Sequence, residues 1–267
     1  MNNLKMYLRT QARNCFLHIM GLFKEPQPGI HILNGHRIAK ENEPSTFRKM
    51  LEELSQKVEF IRFEDAVEKI HHHEMPSKPL VAFSFDDGFL EDYEIFAPIL
   101  EEYGTNAAFF INPNYAEGSQ EYINHFNDCI VMTPNKKPMR WEQIIDLHKR
   151  GHIVGAHTMD HYMINSTDKK ELEYQIVECK KIIEDKLGCT CKYFAFPYGK
   201  LSQANNLSID IACKTYQYVF AQSVYKKYFS FNGKVINRRH FEPFWPIRHM
   251  YYFLGCNKKY EEKKMFE

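Results

Sequence analysis

The sequence predicts an α/β fold in a single domain, built as a parallel barrel or as an open sheet. Strand-like and helix-like segments alternate about seven times along the chain. Several apolar strand runs stop at carboxylates or imidazoles, and α/β folds place their chemistry at such strand ends. No repeat, low-complexity tract or linker divides the 267 residues, a length that can bury a substantial core. Hydrophobic residues at 44% and aromatic residues at 15% fit a globular protein rather than a disordered one. With 35 Lys+Arg against 34 Asp+Glu, the formal charge of +1 gives no electrostatic reason to expect nucleic acid as a partner. Seven cysteines without regular spacing fit a reducing compartment better than a disulfide framework.

Residues 1–28 read as a leader and 29–267 as the domain. Leu4, Leu8, Ala12, Cys15 and Ile19 fall at helical spacing, with Lys5, Arg9 and Arg13 off that line. A face of this kind is expected to pack on its own domain, the alternative being a membrane surface contacted through residues 1–23. The apolar run Cys15 to Phe23 is too short to span a bilayer and no small-residue cleavage site follows it. A cytoplasmic location is the expectation, with membrane-peripheral contact as the alternative.

Pro26, Pro28 and Gly29 end the leader, and Ile30 to Leu33 reads as the first strand, running into Asn34-Gly35-His36-Arg37. Phe47, Met50, Leu51 and Leu54 repeat at helical spacing behind Ser45 and Thr46, either of which suits an N-cap. Val58 to Phe63 suggests a short strand and Phe63 to Ile70 a helix. The following His71-His72-His73 reads as a solvated loop, because three consecutive imidazoles cannot converge on one ion from a regular element.

Val81, Phe83 and Phe85 alternate with small residues in a strand that ends at Asp86-Asp87-Gly88. A helix from Asp92 to Tyr103 and a strand from Ala107 to Ile111 follow. Residues 112–140, with Pro113, Pro134, Pro138 and Gly118, form the least regular part, and a loop of that length is often functional. Trp141 to Arg150 is a helix, and Ile153 to Ala156 a strand that stops at His157. An amphipathic helix from Lys169 to Leu187 ends at Gly188. Tyr193 to Phe196, Val219 to Ala221 and Val235 to Phe241 are the last strand candidates.

His157 and His161 stand four apart, and on a helical turn they would project to one side as two ligands of a single ion. Both His157 and Asp87 follow apolar strands, and in a parallel barrel such positions share one rim. Two imidazoles and a carboxylate are a usual ligand set for a catalytic divalent metal. Of the paired carboxylates, one then ligates the ion and the other stays free as a base acting on water. Phe194-Ala195-Phe196-Pro197-Tyr198-Gly199 supplies a third strand end, where a backbone N–H near Tyr198 could stabilise an oxyanion. Cys189 and Cys191 have too few partners for a metal site and read as structural.

These segments together resemble the NodB-homology polysaccharide deacetylases, carbohydrate esterase family four. The family's T-F-D-D-G motif appears as Ser84-Phe85-Asp86-Asp87-Gly88, and its H-[ST]-x-x-H as His157 to His161. Its R-x-P-[YF] is met in part by Ala195 to Tyr198, and the likeness runs from about Ile32 to Phe241, the motifs falling in the same order. The resemblance implies a distorted (β/α) barrel of seven or so parallel strands and metal-dependent removal of an N- or O-acetyl group from a sugar. It implies one divalent ion, zinc the first candidate and other divalent ions the alternative, held by Asp87, His157 and His161. Asp86 becomes the general base, and Pro197 and Tyr198 line the substrate, Tyr198 offering its backbone amide to the oxyanion.

Two departures set further expectations. Ala195 stands where the family often has an arginine that orients the base, and the partner aspartate-tryptophan motif is absent as well. Arg238 or Arg239, on a late strand, is the expected replacement. The family's general-acid histidine has no C-terminal match, but Ile32-Leu33-Asn34-Gly35-His36 resembles the permuted arrangement of some branches. His36 is therefore the first choice for the acid and His240 the second. The expected partner is an acetylated sugar, and the favoured reaction is removal of the N-acetyl group of an amino sugar in a glycan or a precursor. The alternatives are an O-acetyl esterase or related amide hydrolase, and a catalytically silent glycan-binding module.

Overall fold

In the computed structural model, residues 2–38 and 42–260 are described, with their side chains except at 2–4 and 6. The strands are β1 (Gly29–Gly35), β2 (Glu59–Phe60), β3 (Pro79–Phe85), β4 (Ala107–Ile111) and β5 (Ile153–Ala156), then β6 (Tyr193–Ala195), β7 (Tyr218–Ala221), β8 (Phe229–Ser230), β9 (Val235–Asn237) and β10 (Arg239–His240). They form one sheet in the order β10-β1-β3-β4-β5-β6-β7-β9-β8, with β2 laid on β3. Every pairing is parallel except β8 with β9.

The late strand Val235 to His240 brings the sheet round on itself. Its first half pairs with β7 (Ala221 opposite Asn237) and its second half with β1 (Asn34 opposite His240). Arg238 sits at the changeover, its N–H donating to Ala221 O at 2.9 Å, and Phe241 N donates to Asn34 O at 3.0 Å. The outcome is the expected distorted barrel, whose ring consists of β1, β3 to β7 and the divided β9–β10 strand. Distortion is concentrated where pairing is thin, as between β5 and β6, which share only Ala156 opposite Phe194.

Side-chain alternation divides the core in two. Ile30, Ile32, Leu80, Ala82, Ala108, Phe110, Ala195, Phe220 and Ile236 fill the interior. The helices are α1 (Asn2–Gly21), α2 (Glu43–Ser55), α3 (Phe63–His71), α4 (Ala97–Glu101), α5 (Pro113–Glu117) and α6 (Gln120–His125), then α7 (Trp141–Lys149), α8 (Lys169–Glu173), α9 (Cys179–Leu187), α10 (Asn206–Thr215) and α11 (Ile247–Leu254). From α3, the buried Phe63, Ala66, Val67 and Ile70 join the interior cluster. The outward strand residues Leu33, Val81, Phe83, Phe109, Val154, Phe194 and Val219 pack in a second cluster with apolar stripes such as Phe47, Met50, Leu51 and Leu54 of α2.

Several expectations change in detail. The Asp92–Tyr103 helix begins as a π turn, Asp92–Phe96, before α4, and the long helix ending at Gly188 contains another, Tyr174–Glu178, between α8 and α9. Gly188 takes the left-handed conformation that ends α9 (φ 68°). Residues 112–140 are less irregular than expected: α5, α6 and a π turn, Phe126–Ile130, enclose a small core of Phe89, Tyr115, Ile123 and Phe126. His71 closes α3, and His72 and His73 lie in the exposed turn that the sequence suggested.

The leader helix forms, but the face expected to pack is the outer one. Leu8, Ala12, Cys15 and Ile19 are exposed, and the side chain of Leu4 lies outside the described residues. Contact with α11 runs through Leu17, which is buried, and Gly21, where a Cβ would collide with the Arg248 backbone. Helical spacing identifies a stripe; a close approach that only glycine allows decides which side is covered.

Candidate metal and catalytic site

The strand ends deliver the expected residues to one rim. β3 ends at Asp86 and Asp87, both buried, and Asp87 has a left-handed backbone (φ 78°). β5 ends at His157, whose N–H donates to Ile111 O at 2.9 Å. Asp87, His157 and His161 form the one group among the described residues with ligand atoms close enough to share a metal ion, all within 4.8 Å of one another. Asp87 Oδ1 lies 3.3 Å from His161 Nε2 and 3.6 Å from His157 Nε2. Ligands bonded at ~2.1 Å to a tetrahedral ion stand roughly 3.4 Å apart, so the spacing fits.

The donor set fits as well. Asp87 Oδ1 and His157 Nε2 are buried without a hydrogen-bond partner, a costly arrangement unless a cation satisfies both. His157 Nδ1 lies 2.6 Å from Ala195 O, so a proton there fixes the tautomer that offers Nε2 inward. Burial alone would raise the pKa of Asp87, yet the two imidazoles hold it well below the ordinary carboxylate value.

His157 and His161 do not share a helical turn, contrary to the expectation from their spacing. The segment is a loop in which Thr158 (φ 63°) and His161 (φ 56°) are left-handed, a conformation that is a genuine outlier for a β-branched residue. The surroundings hold this strain in place. Asn112 Nδ2 donates to His157 O and to Thr158 O, and Tyr162 N donates to Thr158 Oγ1 at 2.8 Å. Asp160 accepts from Tyr122 Oη at 2.5 Å, Asn114 Nδ2 at 2.7 Å and Gln175 Nε2 at 2.9 Å. Asp160 thus pins the loop to α6 and to the π turn before α9. Asp160→Ala is expected to weaken divalent-metal affinity roughly ten- to hundred-fold while the fold persists, measurable by metal titration of the stripped protein.

Asp86 is held from the β9–β10 strand, one strand beyond β1. Arg238, fully buried, donates from Nη1 to Asp86 Oδ1 and from Nη2 to Oδ2, both at 2.8 Å. The same Nη1 reaches Asn34 Oδ1 at 2.6 Å, and Asn34 Nδ2 donates to Asp86 Oδ2 at 2.9 Å. Ser84 Oγ donates to Asn34 Oδ1 at 2.8 Å and completes the network. A carboxylate has about four acceptor positions; three on Asp86 are taken, which fixes its plane and leaves one for a water. Burial raises the pKa of Asp86, but Arg238 and His157 outweigh it and hold the group ionised below its ordinary value.

Only one of the two candidate arginines reaches Asp86. Arg239 turns away, its guanidinium 3.5 Å from the Phe253 ring centroid. The guanidinium of Arg238 lies over Phe110 at 4.8 Å and Phe220 at 5.9 Å, inside the barrel. Ala195 belongs to that same interior cluster, so the small side chain there leaves space that a guanidinium entering from β9–β10 occupies.

His36 and His240 adjoin, with ring centroids 5.2 Å apart. Burial lowers the pKa of His36, and the charges of Asp87 and Asp86 oppose that shift. His240 is braced on both ring nitrogens, by Gln222 at 3.2 Å and Glu242 at 3.0 Å. Tyr198 is left-handed (φ 63°) and part-exposed, its ring edge-on to His161 at 4.6 Å, while Pro197 is buried. Phe126 flanks His161 from the other side at 6.2 Å, so part of residues 112–140 walls the site.

Asn34, Ser84, Asn112, Asp160, Gln222 and Glu242 were not singled out from the sequence. The available signal for Asn34 and Ser84 was their place near the ends of two apolar strands, where an inward polar group has to meet a partner.

The profile of the polysaccharide deacetylase family matches residues 73–219. The chain is 23% identical over 128 residues to YxkH of Bacillus subtilis (strain 168), covering 48% of this chain but only 40% of that protein's length. The structure of IcaB from Ammonifex degensii superposes with a TM-score of 0.68 at 21% identity, covering 86% of this chain and 99% of that one. The Streptococcus pyogenes deacetylase PplD, solved in complex with acetate, gives 0.63 at 17% identity, covering 85% and 97%. These structural likenesses establish a shared fold.

Proposed function

The chain belongs to the polysaccharide deacetylase family, and from that premise we propose that it hydrolyses an acetyl group, the N-acetyl of an amino sugar in a glycan or glycan precursor. The observation that carries the proposal is Asp86, clamped by Arg238 with one acceptor position left beside the Asp87, His157 and His161 ligand set. The acetate bound to PplD is the product such a reaction releases.

Asp87, His157 and His161 would hold one divalent ion, zinc the first candidate. When bound there, it supplies Lewis-acid polarisation of the acetyl carbonyl and makes nearby water more acidic. Asp86 accepts the proton that water loses as its oxygen attacks the carbonyl carbon. Arg238 and Asn34 keep that carboxylate oriented and ionised. The backbone N–H of Tyr198 would donate to the oxygen on which negative charge collects, with its ring beside the sugar. His36 donates a proton to the departing nitrogen, the nearby Asp87 and Asp86 charges favouring its protonated form against burial. Cleavage of the C–N bond then yields acetate and a free amine. His240, held between Gln222 and Glu242, backs His36 against displacement.

An O-acetyl ester would meet the same groups with an alcohol as the leaving group, so products decide between the two. Purified protein supplied with a divalent metal is expected to release acetate and an equal amount of amine from N-acetylated oligosaccharides. A chelator should cut the rate by about two orders of magnitude or more, given the several kcal/mol a Lewis acid contributes, and added metal should restore it. Acetate from O-acetylated sugars alone would assign an esterase, and none from either class would leave a glycan-binding module.

A further inference from the structure

The leader helix exposes a surface that the proposed hydrolysis does not use. On α1, Leu8, Ala12, Cys15, Phe16 and Ile19 form one exposed stripe, and Leu22 and Phe23 extend it past the helix end. Leu8, Phe16, Ile19 and Leu22 each keep at least half their area in solvent, and Phe23 keeps 78%. At 100° per residue this stripe lies opposite Leu17 and Gly21, which seat the helix on α11. It lies outside the core, Phe16 meeting α11 only at the edge of the Tyr252 ring 5.8 Å away, and scattered single apolar residues do not account for it.

The charge around it is of one sign. Lys5, Arg9, Arg13 and Lys24 lie in this segment, and no acidic residue precedes Glu25, in a chain whose bases and acids otherwise nearly cancel. Apolar side chains with cations along their flank fit an interface of hydrocarbon beneath negative head groups. No helix among the described residues is long and apolar enough to cross a membrane, so this one would lie in the interface plane. The segment is also tied to the catalytic end. The Arg13 guanidinium lies 5.5 Å over the Trp245 ring, which stands 5.6 Å from His240, itself 5.2 Å from His36.

We propose that the outer face of α1 docks the protein on the surface of a bilayer containing anionic phospholipid, with Leu8, Phe16, Ile19, Leu22 and Phe23 inserted and Lys5 and Arg9 at the head groups. The face is a docking surface for lipid, independent of what the catalytic site cleaves.

The test is flotation of the full chain with vesicles of phosphatidylcholine alone or with phosphatidylglycerol added. Binding is expected to the anionic vesicles, to weaken at least tenfold in molar salt, and to fall at least tenfold in a Leu8→Ser/Ile19→Ser variant. Lys5→Gln/Arg9→Gln should lower it less. Acetate release from a soluble oligosaccharide should stay unchanged, because these exposed side chains touch none of the site. A wild-type chain that ignores anionic vesicles, or a Leu8→Ser/Ile19→Ser variant that binds as well as wild type, would overturn the proposal. So would a lipid-free dimer that the same substitutions dissociate, since a second copy would then cover the face.

Discussion

Asp86→Asn is expected to lower turnover of acetate release by about 10²- to 10⁴-fold, the range a positioned general base contributes. Asparagine preserves the shape of the side chain but accepts no proton. Asp87, His157 and His161 remain in place, so metal content should stay at the wild-type level. The change also leaves the buried Arg238 guanidinium without its counter-charge, and losing one partner of a buried pair costs about 3–5 kcal/mol. A lower melting temperature alongside retained metal is therefore part of the expected result. Near-wild-type turnover would assign the base elsewhere.

Arg238→Lys carries the second large effect. Lysine keeps the charge but cannot make the two parallel bonds that fix the Asp86 plane, and misplacing a reacting group by about 1 Å can cost 10²-fold. The pH profile gives the sharper readout. Arg238 holds the pKa of Asp86 down against burial, and the base works only when ionised. Weakening the clamp raises that pKa, so the acidic limb of kcat/KM moves to higher pH. Arg239→Lys, at a residue packed over Phe253, should leave the profile where it is. Arg238→Ala with Ala195→Arg is expected to recover part of the lost activity, because position 195 opens into the same interior. If Arg238→Lys leaves both turnover and the acidic limb unchanged, the clamp has no role in catalysis.

What was legible in the sequence depended on whether local pattern or register decided it. Asp86, Asp87 and His157 follow apolar strands, and parallel strands in one barrel present their ends together, so the shared rim could be read directly. The gap at Ala195 pointed to a guanidinium from elsewhere, but choosing Arg238 over Arg239 required knowing which residue faces inward where the last strand changes partners. Asn34 had only its place near a strand end to mark it; its partners followed from register, which sets it opposite Ser84 and His240.

Other features had no local signal. Thr158 is a poor residue for a left-handed backbone, so the spacing of His157 and His161 suggested a helix that the loop does not form. On the leader, periodicity located the stripe, but the packed side was set by Gly21 against Arg248, a tertiary contact. The helices of residues 112–140 are five and six residues long and interrupted, below the length at which helical periodicity stands out.

The most direct measurement is titration of a divalent metal into metal-stripped protein while acetate release from an N-acetylated oligosaccharide is followed. A rate that rises from near zero to a plateau at one ion per chain, and does so in wild type but not in His161→Ala, is the predicted result. Full acetate release from the stripped protein, or a His161→Ala variant that titrates like wild type, would contradict it.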